Sequence, residues 1–187
     1  NVSYELILGE RTYKTPFFLK IFAPIFFKNI MTNTKDYPKN TPTGKDFVIA
    51  DELKNLYLDN AGAVVSFVGL VREQASHGQV TAIELEYYPA MTQKALEAIV
   101  QQAEQRWPLL GATVIHRVGY LTTQEQIVMV AVASKHRHAA FAAAEFIMDY
   151  LKTQAPFWKK EYIAGQTEGI WVEAKDSDNH ALAKWQH

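Results

Sequence analysis

The segment Asp149-Tyr-Leu-Lys152-Thr-Gln-Ala-Pro156-Phe-Trp-Lys159-Lys160-Glu161 limits the folds open to this chain more than any other. A helical run carrying Lys152 must stop at Pro156, because proline lacks a backbone N–H and disfavours helix at the residue before it. The chain therefore turns near Ala155, and the extended piece that follows can bring a second lysine back toward Lys152. Phe157 and Trp158 read as apolar walls that would desolvate an ammonium, one route to a reactive amine. Lys159 and Lys160 are neighbours in an extended segment and point to opposite faces, so only one of them can join Lys152. Lys159 shares its side with Phe157 and Glu161, but the pattern leaves the choice open. Lysines converging on an aromatic corner point to chemistry on an anion.

Composition narrows that chemistry. With a formal net charge of −1, the chain has no global basic field for nucleic acid, and any anion site must be a local cluster. There is no cysteine, which excludes disulfides, a cysteine nucleophile, a persulfide carrier and thiolate metal sites. Sulfur chemistry would need sulfur brought in on another molecule. The six histidines show no metal-ligand spacing, so neither a metal nor a cofactor is expected. At 187 residues, 48% apolar and 21% charged, the chain suits one folded domain with a real core. Residues 1–45 read as an N-terminal extension, flexible or non-native, with 32–45 as a linker, and 46–187 as the domain. The apolar run from Phe17 to Phe27 is too short to span a bilayer, and no membrane association is expected.

Periodicity predicts strands over Ala63–Val68, Val80–Tyr88, Ala112–Val118 and Gln126–Ser134, with a closing pair over Phe157–Ile163 and Ile170–Ala174. Leu70 to Gly78 reads as a loop, and Thr122-Thr-Gln124 as a polar turn. One helix is expected from an N-cap at Thr92 to about Trp107, a second over Arg137–Gln154, and a short terminal one over Asp176–Trp185. Two main helices interleaved with strand pairs make an α+β sandwich of antiparallel strands.

On the second helix Ala140, Ala144, Ile147 and Leu151 form a core stripe. Beside it run Arg137, Phe141, Glu145, Met148 and Lys152, either a solvated face or a wall of a site. Arg137 and Lys152 lie about 22 Å apart along such a helix, too far to grip one small ligand from the same chain. If both serve sites, a two-fold dimer must supply Arg137 from its partner. Ser134-Lys-His-Arg137 sits at the helix N-terminus, where free N–H groups and two basic side chains suit an anion, or simply form a capping turn. Arg72, after Gly69, could aim at a phosphate from its loop or be merely solvated.

These residues together resemble the large, catalytic subunit of molybdopterin synthase. The matching pieces are Gly62-Ala-Val-Val-Ser-Phe-Val-Gly69 with Val71-Arg72, Leu85-Glu-Tyr-Tyr-Pro-Ala-Met-Thr-Gln-Lys-Ala-Leu96, Arg106-Trp-Pro108 and Val114-Ile-His-Arg-Val-Gly119. Ser134-Lys-His-Arg137, Phe146 through Lys159 and Trp171-Val-Glu-Ala174 complete them, covering roughly residues 46 to 185 in order. The resemblance implies an α/β hammerhead-type α+β fold and a sulfurtransferase of molybdenum cofactor biosynthesis, working in the cytoplasm. Such enzymes convert cyclic pyranopterin monophosphate to molybdopterin. Their sulfur arrives as a thiocarboxylate on the C-terminal Gly-Gly tail of a small ubiquitin-like subunit, and two large subunits pair to give a heterotetramer. Carried over by position, Lys152 and Lys159 are the catalytic pair, and Phe67, Arg72, Met148, His136 and Arg137 line the substrate pocket, the last two from the other protomer. Lys175 stands where the family often has an arginine; it keeps the charge but loses bidentate phosphate geometry.

Two other classes compete. A non-catalytic anion-binding or scaffold module docking a small partner needs the cations but no reactive lysine. An RNA-binding α+β domain is disfavoured by the charge balance and by the lack of an aromatic-basic surface motif.

Overall fold

The computed structural model describes residues 7–8, 11–12, 46–76, 78–172 and 181–185. In chain order its elements are β1 (Ile7–Leu8), β2 (Arg11–Thr12), α1 (Ile49–Lys54), β3 (Ala63–Leu70), β4 (Gln74–Ala75), β5 (Gly78–Tyr87), α2 (Pro89–Arg106), β6 (Leu109–His116), β7 (Gly119–Thr122), β8 (Gln126–Ser134), α3 (Arg137–Gln154), β9 (Phe157–Ile163) and β10 (Ile170–Val172). β1 and β2 pair with each other. The bounds of β8, α3 and β9 are those read from the sequence, and the whole is an α+β arrangement of antiparallel sheets.

The apolar run of β8 has no polar face because it is covered on both sides. It is the middle strand of a three-stranded antiparallel sheet, β3-β8-β6. On one face Val128, Val130 and Val132 pack with Leu96, Ile99 and Ala103 of α2 and with Ala143, Phe146 and Ile147 of α3. On the other, Met129, Ala131 and Ala133 meet Phe47 and Leu56, a small second core organised by α1. The alanines of α3 let the helix lie close to the strands, and Ala140, Ala144, Ile147 and Leu151 are all buried as their spacing predicts. Trp185 is edge-on to Phe146, and its ring N–H donates to Asp149 at 2.8 Å, which ties the terminal segment to α3.

The second sheet runs β10-β9-β5-β4, with β7 also paired to β5. Its inner face carries Val80, Ile83, Leu85 and Ile163, clustered with Val71 and Leu121. Arg117, only 2% exposed, stitches the end of β6 to the β7–β8 turn through the Glu125 carboxylate and the Gln126 carbonyl, both at 2.9 Å.

Several expectations need correction. α2 begins at Pro89, because proline is at home in a first helical turn, and Thr92 is therefore not its cap. The Thr92 hydroxyl donates instead to the Pro156 carbonyl at 3.3 Å, fastening the α3–β9 corner to α2. The strand expected over Ala112–Val118 runs from Leu109 to His116, and a separate strand, β7, occupies Gly119–Thr122. The Leu70–Gly78 loop contains the short strand β4. Of the expected terminal helix, residues 181–183 are helical, and 176–180 lie outside the described residues. Among the described residues no helix is long and apolar enough to cross a membrane.

Candidate functional site

Where α3 ends, Ala155 adopts an extended conformation (φ −79°, ψ 127°), as a residue before proline must, and β9 starts two residues later. The reversal brings Lys152, in the last turn of α3, and Lys159 of β9 into one cleft of about 550 Å³. Phe67, Arg72 and Met148 line the same cleft. Five of the residues singled out from sequence are thus assembled from three separate stretches of chain.

The period-two alternation of β9 sorts its side chains. Phe157, Lys159 and Glu161 stand opposite Tyr87, Leu85 and Ile83 of β5, and all but Tyr87 line the cleft. Trp158, Lys160 and Tyr162 take the other face. There the Lys160 ammonium lies 4.9 Å over the Trp171 ring, and Tyr162 donates to Glu84 at 2.7 Å. A Cβ on Gly169 would come within 2.8 Å of the Lys160 stem, so the missing side chain makes room for it. The open choice between the two lysines falls to Lys159. Trp158, 49% exposed on the outer face, is not the apolar wall expected of it.

Lys159 Nζ lies 2.8 Å from Glu161 Oε1, a carboxylate whose side chain is only 7% exposed. A buried carboxylate beside a lysine fixes that ammonium in place and makes its position part of the strand's geometry. On the facing wall β3 carries Phe67, and a Cβ on Gly69 would sit 2.7 Å from Val128 Cγ1, so only glycine lets β3 lie this close to β8 there. Arg72 follows β3, with Gln74, Ala75 and Ser76 continuing the rim.

His116 was not singled out from sequence as a site residue. It closes β6, lines the cleft and stacks on Phe157 with ring centroids 3.9 Å apart and planes 16° from parallel. Its Nδ1 is 2.9 Å from the Arg117 carbonyl, a contact that needs the proton on Nδ1. Burial lowers its pKa to about 4, the hydrogen bond to Arg117 opposing the shift without cancelling it. Near neutral pH the ring is therefore uncharged. The available signal was an ionisable residue at the end of an apolar strand run.

His136 and Arg137 lie outside this cleft. They line a second, shallower cavity of about 430 Å³ with His138 and Phe141 at the opposite end of α3. His136 is the extended N-cap residue of α3 and makes no side-chain cap, leaving helix N–H groups available there. Gly62 abuts the Lys135 carbonyl, where any Cβ would collide with the backbone of this turn. With α3 unbroken from 137 to 154, the two clusters stay about 22 Å apart within one chain. Lys175 lies outside the described residues.

The model of the MoaE protein family matches residues 43–154. A relative in Brucella melitensis, a molybdopterin synthase catalytic subunit, is 47% identical over 144 residues, spanning 76% of this chain and 87% of its own length. Among solved structures, the molybdopterin biosynthesis MoaE protein of Burkholderia ambifaria superposes with a TM-score of 0.66 at 43% identity, covering 87% of this chain and 98% of its own. Molybdopterin synthase of Staphylococcus aureus gives 0.64 at 29% identity over 69% of this chain and 93% of its own.

Proposed function

Because the chain belongs to the MoaE family, we propose that it is the catalytic subunit of a molybdopterin synthase. It takes sulfur from a thiocarboxylated small subunit and installs it on cyclic pyranopterin monophosphate, in the cytoplasm. The observation that carries this reading is the meeting of Lys152 and Lys159 with Arg72, Phe67 and Met148 in one cleft. Arg72 neutralises the substrate phosphate and the charge that develops as the cyclic ester opens. Lys152 serves as proton shuttle or transient covalent partner, and Lys159, held by Glu161, sets the local charge around it. His136 and Arg137 act in the cleft of a paired chain, because their distance from Lys152 along α3 excludes a role in their own. A chain without cysteine must receive its sulfur, and relatives named as catalytic subunits are parts of larger assemblies. The Gly-Gly tail of a ubiquitin-like partner suits that delivery, since glycines pass where side chains would not.

The test is mass spectrometry of the pterin formed when purified chain, cyclic precursor and thiocarboxylated small subunit are mixed. A product that carries two sulfurs absent from the precursor, with oxygen lost from the carbons that gain them, supports the reading. A complex that binds both partners yet forms no such product would favour a non-catalytic scaffold.

A further inference from the structure

Six residues separate Lys152 from Lys159, and of these only Ala155 and Pro156 belong to neither α3 nor β9. The relative placement of the two ammonium groups is therefore decided at that pair. The proline ring fixes its own φ, and the residue before a proline is confined to extended conformations, which leaves ψ of Pro156 as the soft dihedral of the corner. That dihedral sets the plane of the Pro156–Phe157 peptide, and both polar groups of this peptide are held. Its N–H donates to the Ala155 carbonyl at 2.9 Å, closing a three-residue turn across Pro156. Its C=O accepts from the Thr92 hydroxyl at 3.3 Å, a bond that spans 64 positions of chain from the first turn of α2.

A helical threonine can return its hydroxyl to a carbonyl one turn back, as Thr153 at the same corner does toward Asp149 at 3.0 Å and Tyr150 at 3.3 Å. Thr92 sends its hydroxyl to another element instead, although the side chain is fully buried and lines no part of the cleft. A buried hydroxyl is costly to leave unpaired, so α2 and the corner are tied to each other. On either side of the hinge the chain is already fixed. Tyr87 and Leu85 of β5 stand opposite Phe157 and Lys159, and the buried stripe of α3 runs to Leu151. Resting on the function proposed above, we infer that Thr92 is a positioning residue for the reaction, acting through the Pro156 carbonyl to set the spacing of Lys152 and Lys159. Misplacing reacting groups by about 1 Å can cost on the order of a hundredfold in rate, so one hydrogen bond at the hinge is enough to matter.

Thr92→Val keeps the outline of the side chain and removes the hydroxyl, whereas Thr92→Ser keeps the hydroxyl. Both are compared with wild type in complex with the small subunit, with urea midpoints to show that folded chains are being compared. Thr92→Val should lower kcat about tenfold while the KM for the cyclic precursor and the Kd for the small subunit stay within about twofold, because every binding charge is retained and only the spacing relaxes. Thr92→Ala, a second way to remove the hydroxyl, should show the same split, and Thr92→Ser should recover most of kcat. Thr153→Val, which removes a hydroxyl whose bonds stay within α3, should keep kcat within about twofold of wild type. Independently of turnover, hydrogen exchange over residues 153–159, read by mass spectrometry, should quicken about tenfold in Thr92→Val and return toward wild type in Thr92→Ser. Unchanged exchange, unchanged kcat, an equal loss in Thr153→Val or no recovery in Thr92→Ser would each overturn the positioning role. Wild type that forms no sulfurated product would refute the proposed function, while the exchange result still decides whether Thr92 holds the corner.

Discussion

Lys152 sits in the last turn of a helix and Lys159 in the first half of a strand, and the corner at Pro156 is what makes them one site. Lys152→Ala should abolish sulfur transfer while leaving the fold and the partner complex intact, because the side chain is exposed in the cleft and is not part of the buried stripe of α3. Lys152→Arg should fail as well, since a guanidinium stays charged and cannot act as a base. Near-normal turnover in either variant would remove Lys152 from the mechanism. His116 has a consequence for stability. Its folded pKa of about 4 lies below the value of about 6.5 expected in an unfolded chain, so the folded state favours the neutral ring. The resulting stabilisation is fully present above the unfolded value and is lost as pH falls toward the folded one. Lys159 and Glu161 on β9, Lys152 on α3 and Arg72 after β3 line the same cleft, while the shift itself comes from burial, opposed by the hydrogen bond to the Arg117 carbonyl. Wild type should therefore lose more stability than His116→Phe between pH 7 and pH 4, read by urea unfolding at a series of pH values. Equal losses would contradict the depressed pKa.

At the scale of elements, strand parity decides function. Lys159→Ala should cost most of the activity, whereas Lys160→Ala, whose ammonium lies over Trp171 on the outer face, should stay within about twofold of wild type. Steady-state turnover of the two variants checks the assignment, and equal losses would sink it. How far such elements could be read from sequence depended on length and flanking signals. β8, α3 and β9 were legible to the residue, because a long apolar run, an unbroken helical period and a proline mark their ends. β7 was not. It has four residues, two of them exposed, and its pairing with β5 is decided by tertiary contact rather than by its own pattern. α1 escaped for similar reasons, being six residues long with no side-chain cap. Thr92 was misread because a hydroxyl before an apolar run looks the same whether it caps its own helix or fastens a distant corner. In the site, the cations were visible as types and spacings. His116 gained its place only when the end of β6 met the start of β9, a juxtaposition that forty residues of intervening chain conceal.

On the scale of the whole molecule, α3 holds two basic clusters apart. Mixing inactive Arg137→Ala with inactive Lys152→Ala chains should restore part of the activity, because one site of each mixed pair would then be complete. No recovery in verified mixed dimers would count against shared sites. Removing the terminal glycines of the small subunit should abolish sulfur transfer while weakening docking only modestly, as measured by turnover and calorimetry. Continued product formation by the truncated partner would refute tail delivery. The length of α3 also carries a genetic consequence. When both lesions, Arg137→Ala and Lys152→Ala, lie on one copy, each chain that pairs with it loses its partner at both ends of the helix. Neither site in that pair is then complete. Coexpressed with wild type, such a doubly altered copy should act as a dominant poison, whereas the same two changes divided between copies rescue one another.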